Sequence, residues 1–152
     1  MKARIHAVAG TLALVLVAAF WWSSLVSELF LSAEAVVAVK RAIVYGIVFL
    51  IPMLMVAGGS GFALSRARKG NLVATKKVRM RFIALNGLLV LAPSAVFLHG
   101  KAAAGQFDLA YIVVQTVELV AGAAQMTLLV WNLRDGLRLS GRLRKHAART
   151  AA

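Results

Sequence analysis

With 152 residues, 61% of them hydrophobic, and a mean hydropathy of +0.83, the chain carries more apolar surface than a soluble domain of its size could bury. It has no cysteine, which excludes disulfides, thiolate metal sites and thiol catalysis. Its formal net charge of +13 raises the question of a nucleic-acid partner, and the placement of the charges answers it.

Four apolar runs reach spanning length for a hydrocarbon core of about 30 Å: His6 to Val26, Ala42 to Leu64, Arg81 to Leu98 and Leu109 to Leu133. The third is the shortest. The sequence therefore predicts an all-α, integral-membrane, up-down four-helix bundle in residues 1–134, followed by a basic cytoplasmic tail, 135–152. With four spans, three segments share one side: Lys2 with Arg4, the stretch from Arg66 to Arg81, and the tail from Arg134 to Arg149. They hold 15 of the 18 basic residues, and the positive-inside rule then puts both termini in the cytoplasm. Anionic lipid headgroups attract such segments by about 1 kcal/mol per basic residue. The headgroup contacts expected on this basis are Arg66, Arg68, Lys69, Lys76, Lys77 and Arg79 in the second connection, with Arg138 and Arg142 in the tail. No aromatic residues interleave with these charges as a nucleic-acid surface would require, so no nucleic-acid partner is expected.

Along the first run, Met1 to Arg4 could open a signal peptide, but the apolar stretch continues through Trp21 and Trp22, which favours an uncleaved span. Spacing places His6, Gly10, Ala13, Val17, Phe20, Ser24 and Ser27 on one face. Trp21 and Trp22 read as anchors at the outer interface. The connection from Ser27 to Arg41 reads as a short segment on the outer surface, with a helical turn capped by Ser32 and Ala35 at its third position.

The second run contains Pro52, which frees the carbonyl of Val48, and ends in Gly58-Gly59-Ser60-Gly61. No strand precedes this glycine cluster and no Lys-Ser/Thr follows it, so close helix packing is expected there rather than a phosphate cradle. Arg66 to Arg81 reads as a cytoplasmic loop turning at Lys69-Gly70-Asn71. The third run has Asn86 near its inner end, then Pro93, which frees the carbonyl of Leu89, and Ser94. His99 reads as a solvated interfacial histidine. The tail, with leucines among arginines, reads as an imperfect amphipathic helix on anionic lipid.

The fourth run carries a carboxylic acid where lipid should be. Tyr111, Gln115, Glu118, Gly122, Gln125, Leu129 and Asn132 share one helical face, which must turn inward or toward a partner. Depth matching at 1.5 Å per residue sets Glu118 level with Pro52, with Pro93 and Ser94, and with Trp21 to Ser24. One explanation makes Glu118 a neutral donor to a proline-freed carbonyl, with Gln115 and Gln125 bridging helices. The alternative makes Glu118, Gln115, Gln125, Asn86 and Ser94 a buried proton or cation site.

His6 and His99 lie nearly a bilayer apart, which rules out shared bis-histidine ligation, whereas His6 with Met80 would allow His/Met ligation of a haem b. Lys2, His6 and the tryptophan later in the first run resemble the opening of small haem-binding membrane proteins related to oxygen-independent protoporphyrinogen oxidase and copper-resistance membrane proteins. The whole chain, through Ser27-Glu28-Leu29-Phe30, Gly59-Ser60-Gly61-Phe62 and Asn132-Leu133-Arg134-Asp135-Gly136, resembles a group of uncharacterised proteobacterial inner-membrane proteins. That resemblance implies location and topology, and no reaction.

No catalytic constellation is recognisable. The expected function is therefore a non-catalytic accessory or assembly component that meets another membrane protein, or further copies of itself, through polar and small-residue faces. The alternatives are a b-haem electron carrier or redox enzyme using His6, and a proton- or cation-coupled transporter centred on Glu118.

Overall fold

The computed structural model describes residues 2–66 and 71–139. Its elements are α1 (Lys2–Phe30), α2 (Ala33–Arg66), α3 (Asn71–Asn86), a π-helical turn (Gly87–Leu91), α4 (Ala92–Ala103) and α5 (Leu109–Leu139). Since α3, the π-turn and α4 run on without a break, the described residues form four helical rods. Each is long and apolar enough to cross a membrane.

Two boundaries differ from those expected. The stretch expected to lie on the surface as the outer connection is instead the last turn of α1, a turn at Leu31 and Ser32, and the first turns of α2. Ser32 caps α2 as its residue type suggests: its Oγ accepts the backbone N–H of Ala35 at 3.4 Å. The helix then runs straight through Lys40 and Arg41, which therefore belong to the rod. Likewise α3 begins at Asn71, so Lys76, Lys77, Arg79 and Arg81 stand on a helix rather than in a loop. Local propensity explains both, because Lys, Arg and Glu interrupt a hydropathy run without interrupting a helix.

Contacts between rods run in opposite chain directions, as in an up-down bundle. On α1 and α2, Ser24 meets Lys40, the Phe20 ring covers Gly46, and His6 meets Ala57. On α1 and α5, Glu28 meets Tyr111 while Trp21 meets Leu119. On α3 and α5, Arg79 meets Asp135 and Asn86 meets Gln125. The neighbours close into a ring: α1 beside α2 and α5, with the α3–α4 rod completing it between them.

One apolar cluster, Ala13, Val17, Leu50, Ile83 and Leu129, fills the centre, and a second, Val36, Leu98, Ala102 and Tyr111, closes the end remote from the N terminus. At that remote end α4 stops at Gly105, whose φ of 68° takes the left-handed conformation that closes the helix. Asp108 then caps α5, its Oδ1 accepting the N–H of Tyr111 at 3.0 Å.

The depth match fails for Pro52. Because α2 starts at Ala33, nine residues before the apolar run, its residues sit about 13 Å further along the rod than expected. Pro52 lies beside Arg4, Val8 and Leu12 of α1, far from Glu118. Pro93 follows the π-turn, where the N–H of Ala92 reaches back five residues to the carbonyl of Gly87.

Candidate functional site

All seven residues of the α5 face, Tyr111 through Asn132, are buried, and so is Asp135 one turn further on. They meet the other rods in three polar layers.

The layer nearest the remote end is built around Lys40, whose side chain is 0% exposed. Its Nζ donates to Ser24 Oγ at 2.7 Å, to Glu118 Oε2 at 2.9 Å and to Gln115 Oε1. An ammonium has three protons, and here each finds an acceptor. Ser24 Oγ also accepts from Gln115 Nε2 at 3.2 Å and donates to Glu118 Oε2 at 3.3 Å, which completes its own capacity. Glu28 Oε1 lies 3.5 Å from the ammonium and accepts the Tyr111 hydroxyl. One lysine and two carboxylates from three helices are thus joined through a serine, a glutamine and a tyrosine.

This arrangement replaces the expected one, in which Glu118 donates to a proline-freed carbonyl. Its carboxylate is an acceptor, paired with an ammonium. The cluster has the donor set of a monovalent-cation cage, and the Lys40 ammonium occupies its centre.

Seven residues along α5, about 10 Å away, Asn86 Nδ2 donates to Gln125 Oε1 and to the Ala121 carbonyl, each at 3.0 Å, and Gln125 Nε2 donates to the Ile83 carbonyl at 3.1 Å. The expected group of five is therefore split: Gln115 with Glu118, Asn86 with Gln125, and Ser94 buried separately on α4. Between these two layers Trp21 donates its indole N–H to the Leu119 carbonyl at 2.8 Å, with its ring against Gly122. Trp21 is thus a bridge between helices, and only Trp22, 58% exposed, has the outward setting expected of both.

In the third layer Arg79 donates to Asp135 at 2.8 Å and to Asn132 at 3.3 Å, and its guanidinium lies 5.5 Å from the centre of the Trp131 ring. Arg79, expected at lipid headgroups, is engaged inside the bundle. Lys77 lies 6.0 Å from the Phe62 ring. Lys76 approaches Gly136, and Arg138 is exposed on the last turn of α5. Arg68, Lys69 and Arg142 lie outside the described residues, as do the side chain of Arg66 and the tail beyond Leu139.

Each candidate haem ligand has a hydrogen-bond partner within the bundle. His6 Nδ1 donates to the Ala57 carbonyl at 2.9 Å, with the ring packed on Gly61. Met80 Sδ accepts from Asn132 Nδ2 at 2.9 Å. A cavity of about 480 Å³ between the rods has neither residue and no histidine in its walls. His99 is half-buried rather than solvated, and its Nδ1 has no hydrogen-bond partner. Among the described residues no cluster of three or more histidines and carboxylates is placed to hold a metal ion.

Depth matching sets Ser24 level with Glu118, and the two meet at 3.3 Å; Lys40 and Glu28 are the key residues that the sequence reading misses, although a signal exists for Lys40. The buried positions of α2, Ile43, Leu50 and Ala57, extend at helical spacing back to Lys40 and Val36, which puts the lysine on the inward face. No family model, curated protein or solved structure matches the chain.

Proposed function

We propose that the protein is a non-catalytic, multi-pass protein of the bacterial inner membrane, with both termini in the cytoplasm, serving as an accessory or assembly component of a membrane protein complex. The observation that carries this reading is that the polar groups of the α5 face are engaged within the chain. Lys40, Asn86 and Arg79 each answer a layer of it, while the outside of the rods presents large apolar side chains such as Tyr45, Phe49 and Leu89. A bundle locked from within and hydrocarbon without suits a passive scaffold. Because the polar face is engaged internally, contact with the partner falls on the apolar and small-residue outward faces. The skew of basic residues to one end supports the orientation. Gentle detergent extraction at native expression is expected to give a defined hetero-complex; only monomer or homo-oligomer would contradict the reading.

The Lys40 layer favours a second reading, a proton- or cation-coupled device. Glu28, partly exposed near the end of α1, links water to the buried Glu118 through the Lys40 ammonium. In reconstituted vesicles Glu118→Gln would then abolish the coupled flux, and an unchanged flux would remove this reading.

A further inference from the structure

The 480 Å³ cavity is a slot enclosed by α1, α2, the α3–α4 rod and α5. Along α2 it extends from Ile43 to Gly58, about 22 Å of helix rise. Small residues widen it where they could have drawn the helices together. A side chain begun at Gly58 would meet nothing nearer than Met80 Cε at 4.0 Å, and one at Gly87 nothing nearer than Gln125 Nε2 at 3.5 Å. Ala92 and Ala95 of α4 add to the same wall. Met55, 70% exposed, and Leu88, 56% exposed, stand at its rim, so the slot opens sideways between α2 and the π-turn.

An empty apolar slot of this length forfeits dispersion contacts along every wall, and water finds no partners in it. The polar residues that do reach it, Ser24, Glu118 and Gln125, are bonded to one another's layers and to Lys40 and Asn86. A ligand with a polar head would find no vacant donor there, whereas a bare hydrocarbon chain needs none. We infer that the slot seats one acyl chain of a bilayer phospholipid, entering between α2 and the π-turn. The inference rests on the membrane reading above and is independent of the partner.

Tryptophan fluorescence separates the two. Trp21 lines the slot beside Gly122, while Trp22 faces outward. Variants retaining one tryptophan each are reconstituted in phosphatidylcholine whose chains are brominated near their middle, and compared with the unbrominated lipid. Both tryptophans are expected to lose fluorescence. Ala92→Phe, which adds bulk to the wall of the slot that Trp21 also lines, is expected to restore Trp21 fluorescence and leave Trp22 quenched. Ile47→Phe from the facing wall should do the same, which guards against one filling variant misfolding. Quenching of Trp22 with none at Trp21, or Trp21 quenching that survives both filled slots, would overturn the inference while keeping the membrane reading. Absence of quenching at Trp22 as well would overturn the membrane reading itself.

Discussion

Asp108 shows how a single exposed residue fixes where a long helix begins. Its carboxylate accepts the Tyr111 N–H at the start of α5 and pairs with Lys101 at 2.6 Å. The Lys101 hydrogen bond, followed by the backbone N–H, holds its pKa below the ordinary aspartate range. A carboxylate with a depressed folded pKa adds stability above its ordinary value of about 3.9, and that contribution disappears as pH falls through the depressed one. Asp108→Asn is therefore expected to lower Tm at neutral pH, with the gap to wild type closing in acid and shrinking in high salt. A gap independent of pH, measured by thermal unfolding across an acid titration, would contradict that role. At residue scale Gly122 is the inverse case, valuable for what it lacks: a Cβ there would stand 2.7 Å from Trp21 Cδ1, too close for the indole to reach Leu119.

At the scale of elements, the π-turn sets the rotation of α3 against α4. A π-turn carries an extra residue relative to an α-helix, so removing one residue would rotate everything before it by about 100°. Asn86 would leave Gln125, and Arg79 would leave Asp135. Deleting Leu89 is thus expected to lower Tm far more than Leu89→Ala, because that side chain is itself exposed; equal effects would show that the register does not matter.

The inward face of α5 was legible in sequence because seven residues repeat at helical spacing within one uninterrupted apolar run, and a single periodicity orders them all. The position of Lys40 was not. Hydropathy locates where a run becomes apolar, whereas the helix begins where capping and propensity allow, at Ser32, and the nine intervening residues displaced every depth estimate on α2. The same limit hid the pairing of Arg79 with Asp135, since a basic stretch without acids reads as headgroup contact until its helix is placed beside another. The split of Asn86 and Gln125 from Glu118 follows from the seven residues, about 10 Å of helix rise, between Glu118 and Gln125 on α5, a separation that sharing one helical face conceals.

Across the whole molecule, the polar interior works as a set of cross-links between rods that hydrocarbon alone would leave free to slide, since lipid tails are as apolar as the helix faces they would replace. The Lys40 layer joins α1, α2 and α5 at once. Partners buried together are costly to separate: losing one member of a buried pair destabilises by about 3–5 kcal/mol, whereas replacing both with apolar residues of similar volume costs little or even stabilises. The most direct test that α5 turns its charged face onto α1 and α2 of the same chain is a double-mutant cycle of thermal unfolding in mild detergent with Lys40→Met, Glu118→Leu and the combined variant. Both single variants should be strongly destabilised and the double variant less so than either. A double variant destabilised by the sum of the two singles would mean that Lys40 and Glu118 never meet, and would contradict the bundle described above.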